Sequence, residues 1–462
     1  MPLYSMSAGI RHRMNISIIG TGYVGLVSGA CLAQLGHKVV CVDQLTARVV
    51  RIAGGNAPFF EPGLEQLVAD TVASGALSAT VDLVSAVQQS EITLIAVGTP
   101  DADGHIDLSQ IEAASAAIGQ ALKNKPEYHV VAVKSTVVPG TTDGVVRTAL
   151  EHAAGKSVGA EIGLCMNPEF LREGTAIEDF MTPDRIVIGA SDANAASVMQ
   201  MVYAAFDCPK VVMSLRNAEF TKYASNALLA TLISFSNELA SLCEQTPGAD
   251  AEVVMDGLHL DKRLSPVVDG HRVRPGILSY LRPSSGYGGS CLPKDVAALL
   301  AYARGKNVAT PLLEAVAQVN AARTGAVLDL AEERIGAFAG QKVGVLGLAF
   351  KSGTDDLRHS PAIQLVEQLS DRGAHVTVYD PVATDLARPL LNGTVKYAGC
   401  AVEALEGGDV AIIGTAWPEW SELDWPKIRK AMRGNVIFDA RNSLRTLDPP
   451  KDFILYQIGN GG

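Results

Sequence analysis

Short apolar runs separated by helix-length spacers open the chain. Asn15–Ile19 is one such run, followed by a glycine-rich turn and by helical spacing through Leu35. Lys38–Val42, Ile92–Val97, His129–Val133 and Ile186–Ile188 repeat the run. Strands alternating with helical patterns predict βαβ units and a parallel sheet. The middle differs. Asn217 to Cys243 contains neither Pro nor Gly, and its apolar spacing is helical until Pro247-Gly248 breaks it. Helical character resumes at Ala251 and fails in a loop rich in Gly, Pro and Arg from Asp261 to Gly289. Pro293 marks the start of a further helix. After about Arg323 the first pattern returns, with strands expected at Lys342–Leu346, His375–Tyr379, Val410–Ile413 and Val436–Phe438. The chain therefore reads as α/β, helical, α/β. The expected domains are 14–213, 214–322 and 323–462, behind an unstructured leader over 1–13.

Composition narrows the class. The 462 residues exceed one ordinary domain, and 48% hydrophobic against 19% charged residues supports a large core. The net charge of −11 argues against nucleic acid and anionic membranes as partners. No apolar run approaches the roughly 20 residues of a membrane span. Residues 1–13 lack the pattern of a secretory signal. The seven cysteines are scattered, without a C-x-x-C pair, and the nine histidines are dispersed. The expectation is a reduced, cytoplasmic chain with no structural metal.

Two segments carry chemistry. Gly20-Thr21-Gly22-Tyr23-Val24-Gly25 follows a strand and opens a helix, and Asp43 ends the next strand. Gly20 allows the tight turn, Gly22 lets the backbone approach a pyrophosphate, and Gly25 lets helix and strand pack. Helix N–H groups face the phosphates. Asp43 suits ribose hydroxyls and would repel a 2′-phosphate, which favours NAD over NADP; nearby Arg48 leaves NADP open. The second segment is Gly286-Tyr287-Gly288-Gly289-Ser290-Cys291-Leu292-Pro293-Lys294-Asp295. Pro293 puts Cys291 just before a helix N-terminus, where thiolate is favoured. In a chain with a nicotinamide site, a thiolate has a defined use. It adds to an aldehyde, so that a second oxidation gives a thioester, which water then cleaves.

These segments, with Val97-Gly98-Thr99-Pro100, Lys134-Ser135-Thr136, Asn167-Pro168-Glu169-Phe170-Leu171-Arg172-Glu173-Gly174, Pro183-Asp184-Arg185, Ala218-Glu219 through Lys222-Tyr223 and Asn226, and Gly347-Leu348-Ala349-Phe350-Lys351 through Arg358, run in the order of a known family. From Met14 onward the chain resembles the UDP-glucose/GDP-mannose dehydrogenases. The resemblance implies two Rossmann-like parallel-sheet domains joined by a central helical domain that dimerises. It implies oxidation of the sixth carbon of a nucleotide sugar, expected to be a UDP-sugar, from alcohol to carboxylate with two NAD. UDP-glucose is the expected substrate and GDP-mannose the alternative.

By the same resemblance Cys291 is the nucleophile and Lys222 stabilises the anionic oxygen. Asp295 and Thr136 organise water, Glu169 is the acid–base carboxylate, and Asn226 lies one helical turn beyond Lys222. Thr99, Pro100, Ser135, Glu173, Lys294 and Arg358 join the glycine turn, Asp43 and Arg48 around NAD. Phe170, Leu171, Arg172, Ile233, Arg263, Gly288, Phe350, Lys351 and Arg441 are expected along the substrate. So are Tyr280, Leu281, Arg282, Pro283 and Ser284, in a loop that departs from the family pattern. Two other readings remain. A β-hydroxyacid dehydrogenase would need neither Cys291 nor the last domain. A non-catalytic nucleotide-binding protein would not need Lys222, Cys291 and Asp295 together.

Overall fold

The computed structural model describes residues 13–102, 104–391, 393, 395–445 and 452–462. The leader expected over 1–13 lies outside the described residues, apart from Arg13. The chain divides into two compact units, Met1–Ala224 and Ser225–Gly462.

The apolar runs of the first unit form one sheet. Its strands are β1 (Asn15–Ile19), β2 (Lys38–Val42), β3 (Leu77–Thr80), β4 (Ile92–Ile95), β5 (His129–Val133), β6 (Ile162–Met166), β7 (Ile186–Ala190) and β8 (Lys210–Met213). They lie in the order β8-β7-β6-β5-β4-β1-β2-β3. β4, β5 and β6 are buried along their whole length, as strands covered by helices on both faces must be. β1 to β6 run parallel. β7 departs from the expected parallel arrangement. It pairs antiparallel with β6, and β8 follows β7, so the edge pair runs opposite to the rest. Strand order reverses at β1, between β2 and β4, which is where such sheets place ligands beyond their carboxyl ends.

Four helices matter for the site. α1 (Tyr23–Gln34) follows the glycine turn, and α2 (Leu215–Glu244) is the long helix predicted from the Pro- and Gly-free stretch. α3 (Ala251–His259) is capped by Asp250, whose carboxylate accepts the N–H groups of Glu252 and Val253. α4 (Leu292–Gly305) carries the reactive segment at its start. The loop expected between α3 and α4 contains a short hairpin, Val267–Val268 with His271–Arg272.

The second sheet comprises β9 (Lys342–Leu346), β10 (His375–Tyr379), β11 (Lys396–Tyr397), β12 (Val410–Ile413), β13 (Val436–Asp439) and β14 (Ile454–Gln457). It is parallel throughout in the order β11-β10-β9-β12-β13-β14. After β14 the chain packs on the end of α2. Gly459 N–H donates to Glu244 Oε1 at 2.8 Å. The same carboxylate takes two hydrogen bonds from Arg323, which is 2% exposed. Gly461 N–H donates to Ala249 O, and a Cβ there would stand 2.0 Å from Thr246 O.

Candidate active site

In the first unit the dinucleotide turn is built as its glycines require. Gly20 adopts φ +97°, and a Cβ on it would meet Ala96 O at 2.6 Å. A Cβ on Gly25 would stand 1.9 Å from Gly20 O, so α1 can approach only with glycine there. Gly22 caps α1 without a side-chain hydrogen bond, and nothing lies within 4 Å of its Cβ position. The first N–H groups of α1, from Tyr23 and Val24 on, therefore follow an open cradle suited to a pyrophosphate.

Asp43, at the end of β2, accepts from Thr21 N and Thr21 Oγ1, from Leu45 N and from Arg48. Burial alone would raise its pKa, but these four donors hold it below the ordinary aspartate value. Arg48 is thus the ion-pair partner of Asp43, 3.1 Å away. Beyond β4 and β5, Thr99 Oγ1 donates to Thr136 O at 3.0 Å and Ser135 Oγ to Val97 O at 2.7 Å. These bonds tie the segments that follow two adjacent strands.

After β6 comes the Glu169 segment. Glu169 Oε1 lies 2.8 Å from Lys222 Nζ, and the side chains are 6% and 4% exposed. Glu169 Oε2 accepts Leu171 N–H at 2.7 Å. Burial pushes the carboxyl up, yet the Lys222 ammonium and the Leu171 N–H outweigh it, so Glu169 stays below its usual pKa. Phe170 stacks under Arg185, 4.1 Å from guanidinium to ring centre. Arg172 pairs with Asp179 at 2.6 Å. Behind the pair is a buried group to which the sequence reading gave no role. Lys134 donates to Asn167 Oδ1 at 3.1 Å, and Tyr203 donates to the same oxygen at 2.6 Å. Burial lowers the Lys134 pKa to about 8.

In the second unit Cys291 caps α4, and Ser290 Oγ stands 3.5 Å from its sulfur. Asp295, 2% exposed and in the first turn of α4, is held from both sides. Asn226 Nδ2 donates to Oδ2 at 2.6 Å, and Lys294 Nζ to Oδ1 at 2.7 Å. The glycines before Cys291 are required by packing. A Cβ on Gly289 would meet the Phe350 ring at 2.8 Å, and one on Gly288 would meet His359 O at 2.3 Å. Gly289 also has φ +82°. Gly289 N–H donates to Arg358 O at 2.9 Å. Lys351 Nζ lies 5.7 Å from the Phe350 ring centre.

The loop that departs from the family pattern is tethered. Ser284 N–H donates to Asn237 Oδ1 at 2.7 Å, and Arg282 pairs with Glu252 and Asp256. Leu281 is buried beside Pro283, and its carbonyl faces His259 Nε2 at 3.2 Å. Tyr280 ends a single 3-10 turn. Arg441 reaches Ser285 Oγ and Gly286 O. Ile233 packs in a small apolar cluster with Tyr287, Val296 and Leu300. Arg263 is exposed and bound to Asp261. Among the described residues no group of three or more His, Cys, Asp or Glu side chains could hold a metal. No described helix is long and apolar enough to cross a membrane.

Three domain models cover most of the chain. The NAD binding domain matches residues 14–207, the central domain 216–322 and the UDP binding domain 344–446, all of one family. The chain belongs to the UDP-glucose/GDP-mannose dehydrogenase family. It is 43% identical over 440 residues to a UDP-glucose 6-dehydrogenase of Rhizobium meliloti, covering 94% of this chain and 96% of that one. A UDP-glucose 6-dehydrogenase of Haloferax volcanii is 42% identical over 434 residues, covering 93% and 96%. The solved UDP-glucose dehydrogenase of Pyrobaculum islandicum superposes with a TM-score of 0.88 at 40% identity, covering 98% and 99%. This member of the family is an NAD-dependent nucleotide-sugar dehydrogenase. The open cradle at Gly22 and the carboxylate of Asp43 fit the dinucleotide.

Sequence reading assigned no role to two carboxylates of the first unit. Glu61, 4% exposed, receives the Tyr23 hydroxyl and two loop N–H groups. Glu219, fully buried and one turn before Lys222, accepts Gly140 N–H at 2.6 Å and Thr142 N–H at 2.7 Å. Neither partner set is local in sequence, so no spacing signals it.

Proposed function

We propose that the chain converts UDP-glucose to UDP-glucuronate, taking two hydride equivalents and one water per sugar. The observation that carries this reading is the start of α4. There a cysteine caps the helix, and a sealed carboxylate in the same turn is fixed by Asn226 and Lys294. A simple alcohol dehydrogenase has no use for that arrangement. When bound, NAD supplies the two-electron acceptor for each oxidation.

The protein's own groups do the rest. The sulfur of Cys291 adds to the carbonyl of the aldehyde, forming a C–S bond and leaving an oxyanion. Lys222 stabilises that oxygen with its ammonium. Loss of the second hydride gives the Cys291 thioester. Water, positioned by Asp295 and Thr136, attacks the thioester carbon, and the C–S bond breaks to return thiolate. Glu169, kept ionised by Lys222 in the resting protein, takes the proton from that water.

The remaining nucleotide contacts are Ser135, Glu173, Lys294 and Arg358 toward NAD. Phe170, Leu171, Arg172, Tyr280, Pro283, Ser284, Gly288, Phe350, Lys351 and Arg441 are assigned to the sugar nucleotide. The central helices form a homodimer. In support, Leu228, Phe235 and Leu242 lie exposed seven residues apart along α2. The chain works in the cytoplasm, a reading supported by cysteines among which the described residues form no disulfide.

The test is the number of NADH formed per sugar nucleotide consumed, measured with UDP-glucose, UDP-N-acetylglucosamine and GDP-mannose. Two NADH with UDP-glucose, at tenfold or higher kcat/KM than with GDP-mannose, is expected. A reversed preference makes GDP-mannose the substrate, and a single NADH removes the covalent route.

A further inference from the structure

Glu61 lies on neither segment expected to meet a ligand, yet it touches both. Its Oε2 accepts the hydroxyl of Tyr23, the fourth residue of the dinucleotide turn, and also the N–H of Gly174 at 2.6 Å. Its Oε1 accepts the N–H of Ala176 at 2.8 Å. Gly174 and Ala176 close the loop that starts at Glu169. Thr175, which caps the short helix Ala176–Met181, makes no side-chain capping bond of its own. Glu61 performs that task from 115 residues away. The Tyr23 ring packs on Phe59 with centroids 5.4 Å apart, so ring and hydroxyl are held separately. Burial first, and the hydrogen bond to Glu61 next, hold the phenol well above its ordinary pKa, which makes it a donor at any working pH.

We propose that Glu61 is a positioning residue that couples the dinucleotide turn to the loop carrying Glu169. The coupling rests on the cofactor and substrate assignments above. The N–H groups beside Gly22 and Tyr23 bind the pyrophosphate, so occupancy fixes the Tyr23 backbone and with it the direction of the phenol. One carboxylate oxygen is shared by the phenol and the Gly174 N–H. Fixing the first donor therefore restricts the second, and the loop is ordered before the sugar arrives. Removing the phenolic donor leaves the ring, its stacking and every backbone contact in place.

Hydrogen exchange of a peptide spanning residues 170–178 reads this directly, in the full-length protein with and without saturating NADH. In the parent, NADH should slow exchange at Gly174 and Ala176 at least fivefold. In Tyr23→Phe, at NADH concentrations that saturate that variant, the slowing should fall below twofold. Glu61→Gln should show the same loss. Tyr23→Phe/Glu61→Gln should lose nothing beyond either single change. Equal slowing in Tyr23→Phe and parent, or none in the parent, would overturn the coupling and leave Glu61 as a loop cap alone. The readout needs no sugar, so it stands apart from failure of UDP-glucose as substrate, which the NADH count reports.

Discussion

Lys222 Nζ stands 2.8 Å from Glu169 Oε1, and water reaches almost none of either side chain. The resting protein thus holds the cation proposed to stabilise the anionic oxygen against the carboxylate proposed to take the proton. Each charge is the other's compensation, because an unpaired charge at that depth is strongly disfavoured. In the proposed reaction a carbonyl oxygen that becomes anionic would compete for the same ammonium.

Glu169→Gln should therefore cost both activity and stability. We expect kcat to fall at least a hundredfold and unfolding to become easier by about 3–5 kcal/mol, the usual cost of stranding one partner of a buried pair. Adding Lys222→Met should restore much of the stability and none of the turnover. Urea denaturation alongside steady-state assays checks this. If the double variant is less stable than the single one, the pair is not the source of the loss.

Cys291→Ser should abolish acid production while NADH affinity stays within twofold. The hydroxyl has no comparable tendency to ionise at the cap of α4, so no covalent adduct forms. Product analysis by mass spectrometry, with a binding titration, is the measurement. Near-parental turnover would remove covalent catalysis at this position.

Asp43→Ala should weaken NAD binding about ten- to a hundredfold, roughly 1.5–3 kcal/mol for hydrogen bonds to a charged acceptor. It also releases Arg48 from its ion pair, so the ratio of NADP to NAD affinity should rise. Calorimetry with both dinucleotides decides the matter. Unchanged NAD affinity would show that Asp43 serves only Thr21, Leu45 and Arg48.

The buried His129 gives the stability an acid dependence. Its Nε2 lies 2.8 Å from Thr93 Oγ1 and its Nδ1 3.1 Å from Lys125 Nζ. Burial, then the charges of Lys125 and more weakly Lys156, lower its pKa from 6.5 to about 3. Between those values the unfolded chain binds a proton that the folded one refuses. Stability supplied by neutral His129 is complete above pH 6.5 and drains away as the pH falls toward 3. The slope for one proton is about 1.4 kcal/mol per pH unit. Denaturation at pH 6.5, 5.5 and 4.5 should show a shallower fall in His129→Gln than in the parent. Parallel curves would exclude His129 as the source.

Most strands were legible because a buried strand leaves an uninterrupted apolar run. β1, β2, β5, β9, β10 and β12 occupy the residues their runs predict. β3, β8 and β14 were not seen. Leu77–Thr80 has one buried residue, Lys210–Met213 has none, and Ile454–Gln457 is half-buried or exposed, so periodicity carried no signal. Ile162–Met166 was also missed, since Gly, Leu, Cys and Met there lack the β-branching that marks a strand. Strand direction leaves no trace in hydropathy at all, which is why the reversal at β7 appears only in the structure. At the site, the glycines and Cys291 announce themselves through local geometry. Glu61, Glu219 and Lys134 act through partners tens of residues away or more, and no local pattern encodes such pairs.

The bond from Gly459 to Glu244 also dictates an order of events during synthesis. The first unit is a continuous stretch and has all the strands of its sheet once Met213 is made. The second needs its last residues. The turn after α2 waits for Gly459 and Gly461, and the Glu244 carboxylate for a donor 215 residues downstream. Contacts so distant in sequence form slowly. Until then the end of α2, with Leu242 exposed, must emerge incomplete. A chain cut short before Gly459 would keep the glycine turn at Gly20–Gly25 and leave the turn after α2 without its partners.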